Sequence, residues 1–139
     1  MLMNAYLNFD GNCEEAFRYY AEVLHGELPH LMRFADAPGC EDMPAEMKNR
    51  VIHVRLEVDG HVLMGSDVAP QCGGPYEGVK GASITLNVDT KAEARRIFEA
   101  LSKGGKVTMP LDRTFWAELF GALEDRFGVP WLINCEKDA

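Results

Sequence analysis

An α+β fold made of two βαβββ modules is what this sequence predicts, and three observations predict it. A helical pattern occurs twice: the segment from Asn12 to Gly26 returns from Thr90 to Gly104, at an offset of 78 residues. A polar cap candidate (Asn12, Thr90), an alanine (Ala16, Ala94), a bulky apolar pair (Tyr19-Tyr20, Ile97-Phe98), an aliphatic residue (Val23, Leu101) and a glycine (Gly26, Gly104) keep the same spacing in both copies. Each copy follows one strand-like run and precedes three more. Each half also ends on a hairpin signal, Asp59-Gly60 in the first and Asp125-Arg126-Phe127-Gly128 in the second. A solenoid needs at least three repeats of a shorter period. Two half-domains, each covering apolar surface that the other cannot hide alone, is the simpler arrangement.

Residues 3–9 read as the first strand, turning at Asp10-Gly11 into a helix that Asn12 can cap and whose early Glu14 and Glu15 suit the positive end of its dipole. Ala16, Tyr19, Tyr20, Val23 and Leu24 form its apolar stripe, and Gly26 stops it. Leu28 to Phe34 reads as a strand. Residues 35–50, with Pro38, Gly39 and Pro44, read as an irregular excursion holding one helical turn near 45–49. Val51 to Val58 alternates cleanly, Asp59-Gly60 is a two-residue hairpin turn, and His61 to Asp67 returns. In the second half, Ala82 to Asp89 alternates, Thr90 caps a helix ending at Gly104-Gly105, and strands follow over 106–111, 115–123 and 129–135. Gly60 and Gly128 match at an offset of 68 rather than 78, which assigns about ten extra residues to the excursion, a loop, where insertions are tolerated. The expected organisation is one domain with modules 1–67 and 82–139, joined by the Gly- and Pro-rich linker 68–81.

Composition narrows the function classes. A chain of 139 residues can bury roughly 68–70% of its unfolded surface, enough for a core without staples. The apolar runs fall short of the roughly 18 residues of a membrane span, and no export signal opens the chain, so a cytoplasmic location is expected. Cys13, Cys40, Cys72 and Cys135 occur singly, with no C-x-x-C pair, and reduced thiols are the default. A net charge of −8 without a basic cluster beyond Arg95-Arg96 argues against a nucleic-acid partner. Gly73-Gly74-Pro75 lacks the Lys-Ser/Thr that would follow in a phosphate loop.

Two segments hold the candidate site residues. On 51–58 the alternation puts Ile52, Val54, Leu56 and Val58 on one face and His53, Arg55 and Glu57 on the other. If the apolar face meets the helix, His53 can exchange a proton or bind a polar ligand, and Arg55 can pair with a carboxylate or phosphate. The competing reading is a solvated face with cross-strand charge pairs. Asp67 is either a ligand-binding carboxylate or a turn organiser. Trp116 and Trp131, beside Ser83, Thr85 and Asn87, offer the apolar walls and polar anchors of a ligand site. Core packing is the alternative for each aromatic, and Trp116 can instead anchor a dimer. His25 and His30 carry less, His25 because a helix C-terminus favours a cation there.

The chain also resembles a known family. Tyr6-Leu7-Asn8-Phe9-Asp10-Gly11-Asn12, then Glu15-Ala16 and Tyr19-Tyr20, Val62-Leu63-Met64-Gly65-Ser66-Asp67, and the ending Thr114-Phe115-Trp116, Phe120-Gly121, Asp125-Arg126-Phe127-Gly128-Val129 and Trp131-Leu132-Ile133-Asn134 are similar to the PhnB-like branch of the vicinal oxygen chelate superfamily. That superfamily includes glyoxalase I, bleomycin- and fosfomycin-resistance proteins and extradiol dioxygenases. The resemblance implies the glyoxalase/bleomycin-resistance/dioxygenase fold, with curled mixed sheets around a cleft that holds a small-molecule ligand, commonly in a homodimer. A ubiquinone-methyltransferase label attached to some members finds no strand with a glycine-rich nucleotide turn here.

Superfamily metalloenzymes place His, Glu or Gln on the first and last strands of each module. By the resemblance those places fall at or next to Ala5, Leu63, Ser83 and Leu132, or with a slip of one residue at Asn4, Met64, Ala82 or Ile133. None suits a hard divalent ion. His53 and His61 lie too far apart along their hairpin to share one, because His61 opposes Val58. The expectation is therefore no metal and no cofactor. Three readings stay open: a metal-free protein that binds or acts on a small organic molecule, with His53 the candidate acid–base residue; a metal-dependent lyase, isomerase or dioxygenase; and a purely structural dimerisation module.

Overall fold

The computed structural model describes residues 1–69 and 76–139, so the Gly73-Gly74-Pro75 segment and Cys72 lie outside the described residues. The chain forms two compact units, Met1–Gly78 and Val79–Ala139. The first contains β1 (Tyr6–Phe9), α1 (Cys13–Leu24), β2 (Glu27–Arg33), a 3-10 turn (Phe34–Asp36), the short α2 (Ala45–Lys48), β3 (Val51–Val58) and β4 (His61–Asp67). The second contains β5 (Ile84–Asn87), α3 (Lys91–Ser102), β6 (Lys106–Asp112), β7 (Leu119–Glu124) and β8 (Pro130–Cys135). Both are βαβββ units. Their sheets have equivalent strand orders, β1-β4-β3-β2 and β5-β8-β7-β6. In each, the first and last strands pair in parallel and the other neighbours run antiparallel.

Apolar spacing builds each core. Cys13, Ala16, Phe17, Tyr20 and Val23 are the buried residues of α1, and Ala94, Ile97, Phe98 and Leu101 those of α3, one stripe per helix pressed on its own sheet. Phe17 takes the buried place expected of Tyr19, which is only half-buried. Gly65 permits this: a Cβ there would lie 2.7 Å from the Phe17 ring and 2.9 Å from the Leu7 carbonyl oxygen. In the second unit a Cβ on Gly121 would lie 2.7 Å from the Phe98 ring.

The β3–β4 hairpin follows its sequence pattern residue for residue. Asp59 and Gly60 both adopt positive φ, 49° and 81°, the requirement of the tight turn that matches strand twist, and His61 pairs with Val58. Along β3, however, Ile52 does not share the buried face with Val54 and Leu56. The β2–β3 register shifts between Met32 and Arg33, which face His53 and Val51. The extra residue is a β-bulge that returns Val51 to the buried side and leaves Ile52 half-buried.

Helix ends depart from expectation in the first unit alone. Asn12 makes no side-chain cap hydrogen bond, and the positive-φ residue closing α1 is His25, φ 56°, rather than Gly26. Gly26 is needed for another reason, since a Cβ there would meet Val58 Cγ2 at 2.6 Å and the Glu57 carbonyl oxygen at 2.7 Å. In the second unit Thr90 Oγ1 accepts the Glu93 backbone N–H at 3.1 Å, the expected cap, and Gly104 has φ 74°. The strand expected over 115–123 begins only at Leu119. Thr114 and Ala117 close a turn instead, Ala117 N–H reaching Thr114 Oγ1 at 3.1 Å and Thr114 N–H reaching the Ala117 carbonyl at 3.0 Å. That turn takes Phe115 and Trp116 out of the ladder.

Candidate functional site

In the first unit the sheet face away from α1 carries the candidate chemistry. Leu7, Phe9, Val54, Leu56 and Gly65 turn toward the helix, so their alternates point the other way. Cross-strand register groups those alternates into rows: His30, Arg55, Met64 and Tyr6 in one, Met32 with His53 and Asn8 with Ser66 beside it, and Glu27 with Glu57 beyond. His53, Arg55 and Glu57 therefore share the helix-free face. Tyr6 Oη lies 3.2 Å from His53 Nδ1, with the rings near-parallel at 28° and 5.9 Å between centroids. The phenol spans the width of β4 to reach β3. Arg55 Nε lies 2.9 Å from Glu57 Oε1, yet its N–H is not directed at that oxygen and makes no hydrogen bond. The pair is half-exposed and worth little as a stabiliser.

The equivalent face of the second unit is polar without being ionisable at its centre. Thr85 and Asn87 are exposed on β5, and Asn134 on β8 donates from Nδ2 to Asn87 Oδ1 at 3.0 Å. Trp116 Nε1 donates to Asn134 Oδ1 at 3.3 Å. The indole also meets Phe120 edge-on at 5.2 Å and Phe115 at 4.8 Å. Trp116 and Asn87 are thus linked through Asn134, Thr85 stands two residues from Asn87 on the same strand, and Ser83 is exposed just ahead of β5. Phe115 is 97% exposed, and Ala117, two residues on, is buried.

Two proposed ligand-binding residues turn out to work inside their units. Asp67 is 3% exposed; Oδ1 accepts the backbone N–H groups of Gly11 at 2.8 Å and Cys13 at 3.0 Å, and Oδ2 that of Val51 at 2.9 Å. Its carboxylate caps α1 in place of Asn12 through long-range bonds, neither facing a ligand nor organising the local turn that follows it. Trp131 is fully buried, and its indole N–H donates to Asp125 Oδ2 at 2.8 Å. Asp125 Oδ1 accepts from the Phe127 and Val129 N–H groups, both at 2.9 Å. A buried carboxylate is tolerated when N–H donors replace its lost hydration. Neither residue offers a free polar atom to a ligand on the helix-free face.

Tyr6 and Asn134 were not singled out from sequence. Each alternates with buried apolar neighbours, a visible signal, but their partners depend on how three strands align.

The donor set does not fit the superfamily's metal. Tyr6, Asn8, Val62, Met64, Ser66, Thr85, Asn87, Pro130, Leu132 and Asn134 are the helix-free positions of the first and last strands in the two units, and none is an imidazole or a carboxylate. Leu63 and Ile133, reached by sequence spacing, face the helices instead. Among the described residues no group of three or more His, Cys, Asp or Glu could hold an ion. Cysteine chemistry is muted as well: burial pushes the Cys13 thiol far up, with Asp67 and Glu14 adding to it, and burial raises that of Cys135.

A model of the family described as 3-demethylubiquinone-9 3-methyltransferase matches residues 2–134. The chain belongs to that family, and its fold is that of PhnB-like and glyoxalase/bleomycin-resistance proteins. Protein PA1353 from Pseudomonas aeruginosa, whose crystal structure is known, is 51% identical, with 99% of each chain covered and a TM-score of 0.91. Protein YjdN of Escherichia coli K12 is 34% identical over 99% of this chain and 97% of its own length. A putative 3-demethylubiquinone-9 3-methyltransferase, PhnB protein, from Bacillus cereus shares the fold at TM-score 0.79 and 24% identity, covering 97% of this chain and 99% of that one. The glyoxylase/bleomycin resistance protein/dioxygenase domain from Frankia sp. EAN1pec does so at TM-score 0.69 and 13% identity, over 100% and 93%. Among the described residues no helix is long and apolar enough to cross a membrane.

Proposed function

We propose that this PhnB-like protein binds a small organic molecule on the helix-free face of its first sheet, without the superfamily's metal. The observation that carries the reading is the Tyr6–His53 hydrogen bond at 3.2 Å, which orients an imidazole on a half-buried face beside the partly exposed Arg55. Aromatic and thioether groups (Tyr6, Met32, Met64) supply apolar contact there, and His53 can hold or move a proton on the bound molecule. Methyl transfer through a nucleotide cofactor is not part of this reading. Each sheet has a single parallel strand pair and lacks the doubly wound parallel architecture that seats such cofactors. On the second unit, the exposed Phe115 and the half-exposed Trp116 support self-association into a homodimer, which sedimentation would measure. The unpaired thiols of Cys13, Cys40 and Cys135 accord with a cytoplasmic protein.

A thermal-shift screen of small organic molecules on the purified, metal-analysed protein tests the main reading. At least one compound should raise the midpoint of the wild type, before and after chelator treatment, but not that of His53→Ala. Stoichiometric, tightly held nickel, zinc, manganese or iron, with ligand response lost in chelator, would overturn it.

A further inference from the structure

We propose that the molecule held on this face is a small organic anion. Its oxyanion is gripped by the Nη edge of Arg55 and by Nε2–H of His53, with Tyr6 the positioning residue that decides which His53 nitrogen carries the proton. This rests on the reading above and gives its ligand a chemical class.

The proton placement follows from the donor inventory. A phenol is a good donor, and a neutral imidazole has one donor and one acceptor nitrogen. Tyr6 Oη lies 3.2 Å from Nδ1; with the phenol as donor in that bond, the imidazole proton of a neutral His53 falls on Nε2. His53 then offers a donor to whatever lies against the face. Arg55 adds a second. Its Nε faces Glu57 without a hydrogen bond, and no partner for its Nη atoms occurs among the described residues. That leaves the forked, planar edge which matches carboxylate or phosphonate oxygens in pairs. Two strand steps, roughly 6.6 Å, separate the backbones of His53 and Arg55, within reach of one acid group between their side chains. The residues paired across from them, His30 and Met64 beside Arg55 and Met32 beside His53, include no carboxylate, so Glu57 alone competes there. Glu27 pairs with Glu57 one row farther along, which bounds the cationic region on that side. Tyr6, Met32 and Met64 are left for the organic part.

Three probes of similar size separate the ideas in NMR titrations of the full chain: benzoate, phenylphosphonate and the neutral benzamide. Either anion should shift Tyr6, His53 and Arg55 resonances with an affinity at least about tenfold above that of benzamide, the usual worth of a hydrogen bond to a charged group. A stronger response to phenylphosphonate would assign the tetrahedral form, and a stronger one to benzoate the planar form. Arg55→Gln should erase the preference and Arg55→Lys retain part of it, both with undisturbed spectra elsewhere. The imidazole nitrogen spectrum of His53 should show Nε2–H in the wild type and a mixture of tautomers in Tyr6→Phe. Benzamide binding as tightly as the anions at these residues would overturn the anion class while the binding reading survives. His53 protonated on Nδ1 would overturn the role of Tyr6. No shift at this face with any probe would overturn both.

Discussion

The two units share strand order and pairing, yet each solves the same two problems with different residues. Each buries one carboxylate that collects three N–H donors. In the first unit Asp67 stands at the end of the last strand and joins the start of α1 to the start of β3, contacts 54 and 16 residues apart. In the second, Asp125 stands in the β7–β8 turn, and its donors lie within six residues. The helix caps divide the same way: α3 is capped by its own Thr90, α1 by distant Asp67. The helix-free faces differ too, ionisable around His53 and Arg55 in one and amide-rich around Asn87 and Asn134 in the other. Duplicated architecture fixes where side chains point, while the chemistry at equivalent places is free to diverge.

The sharpest way to break the comparison is to remove the long-range carboxylate. Asp67→Ala strands three backbone donors, two of them in buried contacts, and should cost about 3 kcal/mol or more, read as a lower denaturant midpoint. Gly65→Ala forces a Cβ into the Phe17 ring and the Leu7 carbonyl and should cost about 2 kcal/mol by the same measurement. The caps then sharpen the contrast: Thr90→Ala should lose about 1 kcal/mol, whereas Asn12→Ala should stay within about 0.5 kcal/mol. Equal losses at both would show that the two helices are capped alike.

A further small effect concerns acid. Hydrogen bonds from Arg33 and then Arg18 hold the Glu14 carboxyl below its ordinary range. A depressed carboxyl contributes stability that is present above its unfolded-state value and is lost as pH falls through the lower folded value. Because these side chains are partly solvated, Glu14→Gln should cost less than about 1 kcal/mol near neutrality. The variant should also unfold with a shallower dependence on pH in the acid range.

What could be read from the chain was what local physics decides. The pairing of β3 with β4 was legible to the residue, because alternation and Asp59-Gly60 leave one register for the two strands. The Thr90 cap was legible because donor and acceptor lie three residues apart. Asn12 misled because a better acceptor arrives from Asp67, which no local window contains. The same carboxylate and the indole of Trp131 resembled site groups only until their partners, Cys13, Val51 and Asp125, were in view. The bulge at Ile52 and the turn at Thr114–Ala117 have no compositional signature, since each depends on the strand or residue opposite. Of the candidate site, His53 and Arg55 could be assigned to a face by alternation, but Tyr6 could join them only once β1 had docked against β4.

The reach of Asp67 also bears on the order in which structure can form. Helix α3 carries its own start signal and can nucleate from its neighbours as soon as it exists, while α1 lacks a partner for its first turn until the final strand of its unit arrives. Contacts of such separation close slowly because loop entropy must be met first. The amino-terminal half is therefore expected to gain amide protection later than the carboxy-terminal half when the denatured chain is returned to native conditions.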